Sequence, residues 1–187
     1  MRHPSAEQPR IFIGLWPDAS TRAALGPWSA AALQHCGGRA LHPDQWHITL
    51  AFLGRLSPAA VQKLCTEAAR WRLPRAPFRV NCYGHFERAR IVWAGSQDPQ
   101  SQQHLAATYQ QLWHCLQPLG YQPESRPFVP HISLLRQARF CDVQALPPRE
   151  PFVWQSAHCY VVESRPTEQS TQYIPVCSIP LQGPKIK

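Results

Sequence analysis

Apolar and polar positions alternate along this chain in short blocks, each closed by a turn residue. Arg10-Ile-Phe-Ile-Gly-Leu-Trp16 is an apolar run stopped at Pro17-Asp18, the mark of a buried strand. Pro17 to about Gln34 is Ala-rich with Pro and Asp at its start, which predicts a helix. Trp46–Leu53 is a second strand ended by Gly54, and Ser57-Pro58 then supplies an N-cap and an N1 proline for a helix reaching Trp71. Phe78–Phe86 and Arg90–Ala94 read as strands joined by a turn at Glu87-Arg88-Ala89. Between Pro99 and Leu119, Leu105, Tyr109, Leu112, Leu116 and Leu119 share one helical face, closed by Gly120. A loop carrying Pro123, Pro127 and Pro130 leads into a strand at His131–Leu135, and Phe152–Val162 and Tyr173–Ile179 are the last strands. Strands joined by both turns and helices predict an α+β fold with largely antiparallel sheets.

Composition narrows the class. The 187 residues are 44% apolar and include seven Trp, enough for one domain, or two interlocked lobes, to bury a core. The longest apolar runs fall far short of the ~20 residues of a membrane span. The polar first ten residues lack an apolar leader, so the expected compartment is the cytoplasm, with residues 1–9 flexible. Seven Cys stand singly with no CxxC pair, so reduced thiols are expected and no zinc site. The net charge of +8 favours a polyanionic partner, of which nucleic acid is the commonest, over a membrane.

One repeat changes the picture. Trp46-His-Ile-Thr-Leu50 recurs as Pro130-His-Ile-Ser-Leu134. In a strand, side chains alternate between faces, so His47 and Thr49 share one face while Ile48 and Leu50 share the other. His131 and Ser133 oppose Ile132 and Leu134 in the same way. The apolar pairs anchor the strands and the polar pairs face a cleft. Two imidazoles and two hydroxyls around one cavity suit the opening of a cyclic phosphodiester. A base activates water and an acid protonates the departing ribose oxygen, from opposite sides of phosphorus. Neither metal nor cofactor is required. A single histidine in an apolar strand is more often a hydrogen-bonded core residue, and short patterns recur by chance.

WHITLAFLG (46–54) with RPFVPHISLLR (126–136) resembles the 2H phosphoesterases, and more narrowly their RNA 2′,3′-cyclic phosphodiesterase group, historically called 2′-5′ RNA ligases. RIFIGLWPD (10–18), RIVWAG (90–95) and the late Tyr173 are similar as well, so the likeness runs from Arg10 to Ile179. The resemblance implies a single bilobal domain in which two largely antiparallel sheets flank a central basic groove, with helices outside. It implies hydrolysis of 2′,3′-cyclic RNA ends to 2′-phosphates, the reverse direction giving 2′-5′ joining without ATP. The substrate class is RNA with cyclic ends, tRNA fragments among them, and the protein is expected to be a monomer. His131 would be the base, His47 the acid, Thr49 and Ser133 the phosphate donors, and Arg136 a ligand contact. Ser133 stands where Thr is more usual and keeps the hydroxyl. Val129 replaces a residue that is polar in many relatives.

Strict alternation would turn Arg136 into the core with Ile132 and Leu134, so the strand is expected to bulge or end near Leu135. Arg126, in the preceding loop, is a second phosphate candidate. Phe12, Trp16, Trp93 and Phe128 are the aromatics able to stack on a base, Phe128 foremost because it adjoins the motif. Two other readings stand beside the leading one. In the first, the substrate is a small cyclic nucleotide, a 2′-5′ oligonucleotide or a cyclic ADP-ribose phosphate. In the second, the chain is an RNA- or nucleotide-binding module of the same fold.

Overall fold

The computed structural model of the chain describes residues 8–139, 141–167 and 171–183. The strands are β1 (Arg10–Leu15), β2 (Arg39–Ala40), β3 (Ile48–Arg55), β4 (Leu73–Pro74), β5 (Phe78–Val80), β6 (Cys82–Phe86), β7 (Ile91–Gly95), β8 (His131–Arg136), β9 (Phe152–Trp154), β10 (His158–Pro166) and β11 (Thr171–Gln182). The helices are α1 (Ala19–Cys36), α2 (Pro58–Ala68) and α3 (Pro99–Leu116). One sheet has the order β3-β1-β10-β11-β4 and is antiparallel except where β4 joins β11. The other runs β2-β8-β7-β6, antiparallel throughout, and β5 pairs with β9 as a separate ribbon. The first sheet thus holds both early and late strands of the chain. The α+β expectation holds.

Local chemistry explains the helix starts. Asp18 caps α1 by accepting from the Thr21 N–H at 2.7 Å, and Asp98 caps α3 by accepting from Ser101 at 2.9 Å. Asp18 is therefore the cap, not part of the first turn. Ser57 caps α2, with Pro58 as its first helical residue. Two expected strands are each divided. Phe78–Phe86 breaks at Asn81 and serves two sheets, and Phe152–Val162 breaks between Trp154 and His158. Apolar periodicity marks such a run but carries no sign of the corner at which it changes partner. Residues 1–7 lie outside the described residues. Gln8 and Pro9, expected to be flexible, accept hydrogen bonds from Arg55 and Leu56.

The core joins both sheets, with Ile48, Leu50, Ile132 and Leu134 each at most 2% exposed. Burying each such side chain contributes roughly 1.5–3 kcal/mol. Cys36 and Cys141 form a disulfide between the end of α1 and the loop after β8, which corrects the expectation that every thiol stands alone. The two lie 105 residues apart, so spacing gives no hint of the pair.

One glycine positions the site directly. Gly84 in β6 pairs with Trp93 in β7, and a Cβ at Gly84 would lie 2.0 Å from the Trp93 ring. The indole therefore lies across the bare backbone, with its ring centroid 6.0 Å from that of His131. Gly84→Ala should destabilise the fold by about 1–3 kcal/mol, the usual cost of overpacking, when measured by urea unfolding. An unchanged midpoint would contradict this packing.

Candidate active site

The two motifs enter their strands in the same way. His47 directly precedes β3, and its Nδ1 donates to the Gln45 carbonyl at 2.6 Å. His131 opens β8, and its Nδ1 donates to the Val129 carbonyl at 2.7 Å. A carbonyl can only accept, so each bond fixes the hydrogen on Nδ1 and leaves Nε2 unprotonated when the ring is neutral. The partner lies two residues upstream in both copies.

The likeness continues past the motif. Leu134 has no partner in β7, because Leu135 pairs with Val92 and Ser133 with Trp93. Leu134 and Leu135 are both fully buried, and this slip turns Arg136 onto the face of His131 and Ser133. The expected bulge is present. In β3 the pairing with β1 passes over Leu50, so Leu50 and Ala51 are both buried and Phe52, 55% exposed, turns toward the groove. Phe52 and Arg136 are thus counterparts.

All seven expected site residues line one cavity of about 1090 Å³. His47, Thr49, His131, Ser133 and Arg136 bring two imidazoles, two hydroxyls and a guanidinium to its wall. Arg126 lies exposed beside it and is paired with Glu124, so part of its charge is already spent. Phe128 stacks on Tyr109, with centroids 4.1 Å apart. Arg10, Arg55 and Arg88 also line the groove, which together with Arg126 and Arg136 gives five arginines against Glu87 and Glu124. Among the described residues no group of three or more His, Cys, Asp or Glu side chains is arranged to hold a metal ion.

The two imidazoles occupy different surroundings. Trp16 lies face-on to His47, with centroids 4.9 Å apart and planes 11° from parallel. Its Nε1 donates to the Asp44 carbonyl at 3.3 Å, which fixes the indole. Phe12 and Tyr173 close further sides of His47 at 5.1 and 5.0 Å. His131 meets Phe86 edge-on at 4.8 Å. Burial drives the pKa of His47 down to about 4, assisted by the fields of His131 and Arg136 and opposed by the Gln45 carbonyl. The pKa of His131 is also lowered, mainly by burial and then by Arg126, while the Val129 carbonyl raises it. Burial raises the Tyr173 phenol and Arg136 opposes the rise. Both shifts favour the neutral ring.

The roles of Phe52, Phe86 and Tyr109 escape the sequence, because nothing in four-residue patterns specifies ring neighbours. The signal that could have found Phe52 is its position, five residues after His47, as Arg136 is five after His131.

Residues 15–93 match the family of LigT-like phosphoesterases. Over 152 residues the chain is 32% identical to a protein named RNA 2′,3′-cyclic phosphodiesterase from Escherichia coli K12, covering 81% of this chain and 84% of that protein. A protein of the same name from Geobacillus stearothermophilus is 30% identical over 132 residues, covering 67% of this chain and 41% of that one. The crystal structure of E. coli LigT in apo form superposes with a TM-score of 0.79 at 28% identity, over 94% of this chain and 99% of that one. Its complex with 3′-AMP superposes with the same score, identity and coverage. The chain belongs to the LigT-like phosphoesterase family, and its α+β fold of opposed antiparallel sheets is that of its structural neighbours.

The His47 environment has a direct test. A histidine whose folded pKa is depressed contributes stability that is fully present above its unfolded value near 6.5 and is lost as pH falls toward about 4. Ring NMR should place His47 near 4, and Trp16→Leu, which opens one face to water, should move it up toward 6.5. A wild-type value already near 6.5 would contradict the aromatic enclosure.

Proposed function

We propose that this chain hydrolyses 2′,3′-cyclic phosphates at RNA ends to 2′-phosphates, with His47 and His131 as the acid–base pair. The observation that carries the reading is the matched pair of imidazoles. Each has its hydrogen fixed on Nδ1 by a carbonyl two residues upstream, and both line one arginine-rich groove. Relatives named RNA 2′,3′-cyclic phosphodiesterase support the substrate.

The chemistry follows from that set. One imidazole takes a proton from water as the water oxygen attacks phosphorus. The bond from phosphorus to the 3′ oxygen breaks, and the second imidazole delivers a proton to that oxygen. The product carries a 2′-phosphate and a free 3′ hydroxyl. Thr49 and Ser133 hydroxyls donate to the non-bridging oxygens, and Arg136 neutralises their charge. An RNA 5′ hydroxyl replacing water would give the 2′-5′ joined product. The roles suggested by the resemblance, His131 as base and His47 as acid, require the more enclosed ring to carry the proton. The phosphate anion seated beside it supplies the opposite charge that permits this. Two imidazoles account for both proton transfers, so turnover proceeds without metal or cofactor.

The proposal extends to a cytoplasmic setting, which the bacterial relatives support. Among the described residues no helix is long and apolar enough to cross a membrane.

Replacing either histidine with Ala should lower turnover of cyclic-ended RNA by about 10²–10⁴-fold. The double variant should lose far less than the product of the two, since groups that act as a unit are not additive. A substrate with a 3′ leaving group of low pKa needs no acid, so it should rescue His47→Ala and leave His131→Ala slow. Rescue of the other variant would reverse the roles. Full activity in either variant would remove the mechanism.

A further inference from the structure

The groove continues beyond the two imidazoles to an aromatic pair that no step of the hydrolysis uses. Phe128 and Tyr109 lie with ring centroids 4.1 Å apart and planes 12° from parallel. Tyr109 is braced from behind by Trp113, at 6.1 Å and close to edge-on. Both rings are half-buried and both line the same cavity as His131. The cavity, about 1090 Å³, exceeds the 300–1,000 Å³ typical of pockets for drug-sized ligands, and a single nucleotide is a ligand of that size.

Distance relates this pair to the reacting phosphate. Phe128 stands three residues before His131, so their Cα atoms are at most about 10 Å apart even in extended chain. Stacked nucleotides advance about 3.4 Å per step along a strand. That bound is about three such steps, so the platform stands within reach of an upstream nucleotide on the same strand. Charge fits the same direction, because Arg88 and Arg126 line the groove as well. Aromatic faces within a groove that also carries guanidinium groups hold single-stranded nucleic acid without regard to sequence, since every base offers a π face.

We propose that Phe128 and Tyr109 form a stacking platform for a base on the 5′ side of the cyclic end, so that the site selects oligoribonucleotides over mononucleotides. This rests on the hydrolytic reading above and adds the length of RNA that the groove takes. The terminal nucleoside occupies the space beside the histidines, and the platform holds its upstream neighbour. Stacking tolerates any base, so the selection is by length.

The test compares a cyclic-ended trinucleotide with a 2′,3′-cyclic mononucleotide on the wild-type protein, Phe128→Leu, Tyr109→Leu and Phe128→Trp. The readout is the ratio of the two kcat/KM values, which does not depend on the fraction of folded enzyme. Phe128→Leu and Tyr109→Leu should each lower the ratio roughly tenfold, mostly through the trinucleotide KM, while Phe128→Trp keeps it. A ratio unchanged in both Leu variants would overturn the proposal. So would an equal loss on both substrates, which would place the pair under the terminal nucleoside or in support of the motif. Affinity for a trinucleotide ending in a 2′-phosphate is measured alongside. A wild-type protein that binds it through this pair yet turns over neither substrate would overturn the hydrolytic function and leave the platform standing.

Discussion

A guanidinium cannot sit unpaired among Leu and Ile side chains without a desolvation cost of several kcal/mol, and strict alternation along β8 would place Arg136 there. The strand resolves the conflict with a bulge, burying Leu134 and Leu135 in succession and returning Arg136 to the face of His131. The same slip follows the first motif, where Leu50 and Ala51 are buried and Phe52 emerges. The groove depends on these two slips. Without them each strand would offer it one imidazole and one hydroxyl, and neither the cation nor the aromatic that now accompany them. Because one copy ends in Arg and the other in Phe, a nearly symmetric frame presents an asymmetric surface, as a substrate with a phosphate and a base requires.

Enclosure gives the histidines their second asymmetry. Trp16, Phe12 and Tyr173 surround His47, whereas His131 meets Phe86 edge-on and Trp93 at greater distance. Dry surroundings favour the neutral ring, so protonation of His47 becomes coupled to the arrival of an anion. The Gln45 and Val129 carbonyls keep the hydrogen of each neutral ring on Nδ1. In the proposed mechanism a phosphate between them provides the mixed state that in-line displacement uses.

Much of this was legible in the sequence because period-two alternation is a strong constraint. His47 and Thr49, with His131 and Ser133, were separated from their apolar neighbours by pattern alone, and the conflict at Arg136 pointed to the bulge. Phe128 and Arg126 were found because they adjoin the second motif, although the ion pair of Arg126 with Glu124 was not foreseen. Other features lay out of reach. The strand breaks at Asn81 and after Trp154 follow from which sheet each half joins, and that is decided by packing. Cys36 meets Cys141 through the docking of α1 beside β8, far apart in sequence. Trp16 reads in the sequence as an aromatic able to stack on a base, and only the path of β1 beside β3 shows that its face covers His47.

The central claim is that two imidazoles alone open the cyclic phosphate, and product mapping tests it most directly. A cyclic-ended RNA would be incubated with the protein in excess EDTA and the terminal nucleotide of the product identified. The account predicts full turnover and a 2′-phosphate terminus. Turnover abolished by EDTA and restored by zinc or manganese would contradict it, and so would a 3′-phosphate product.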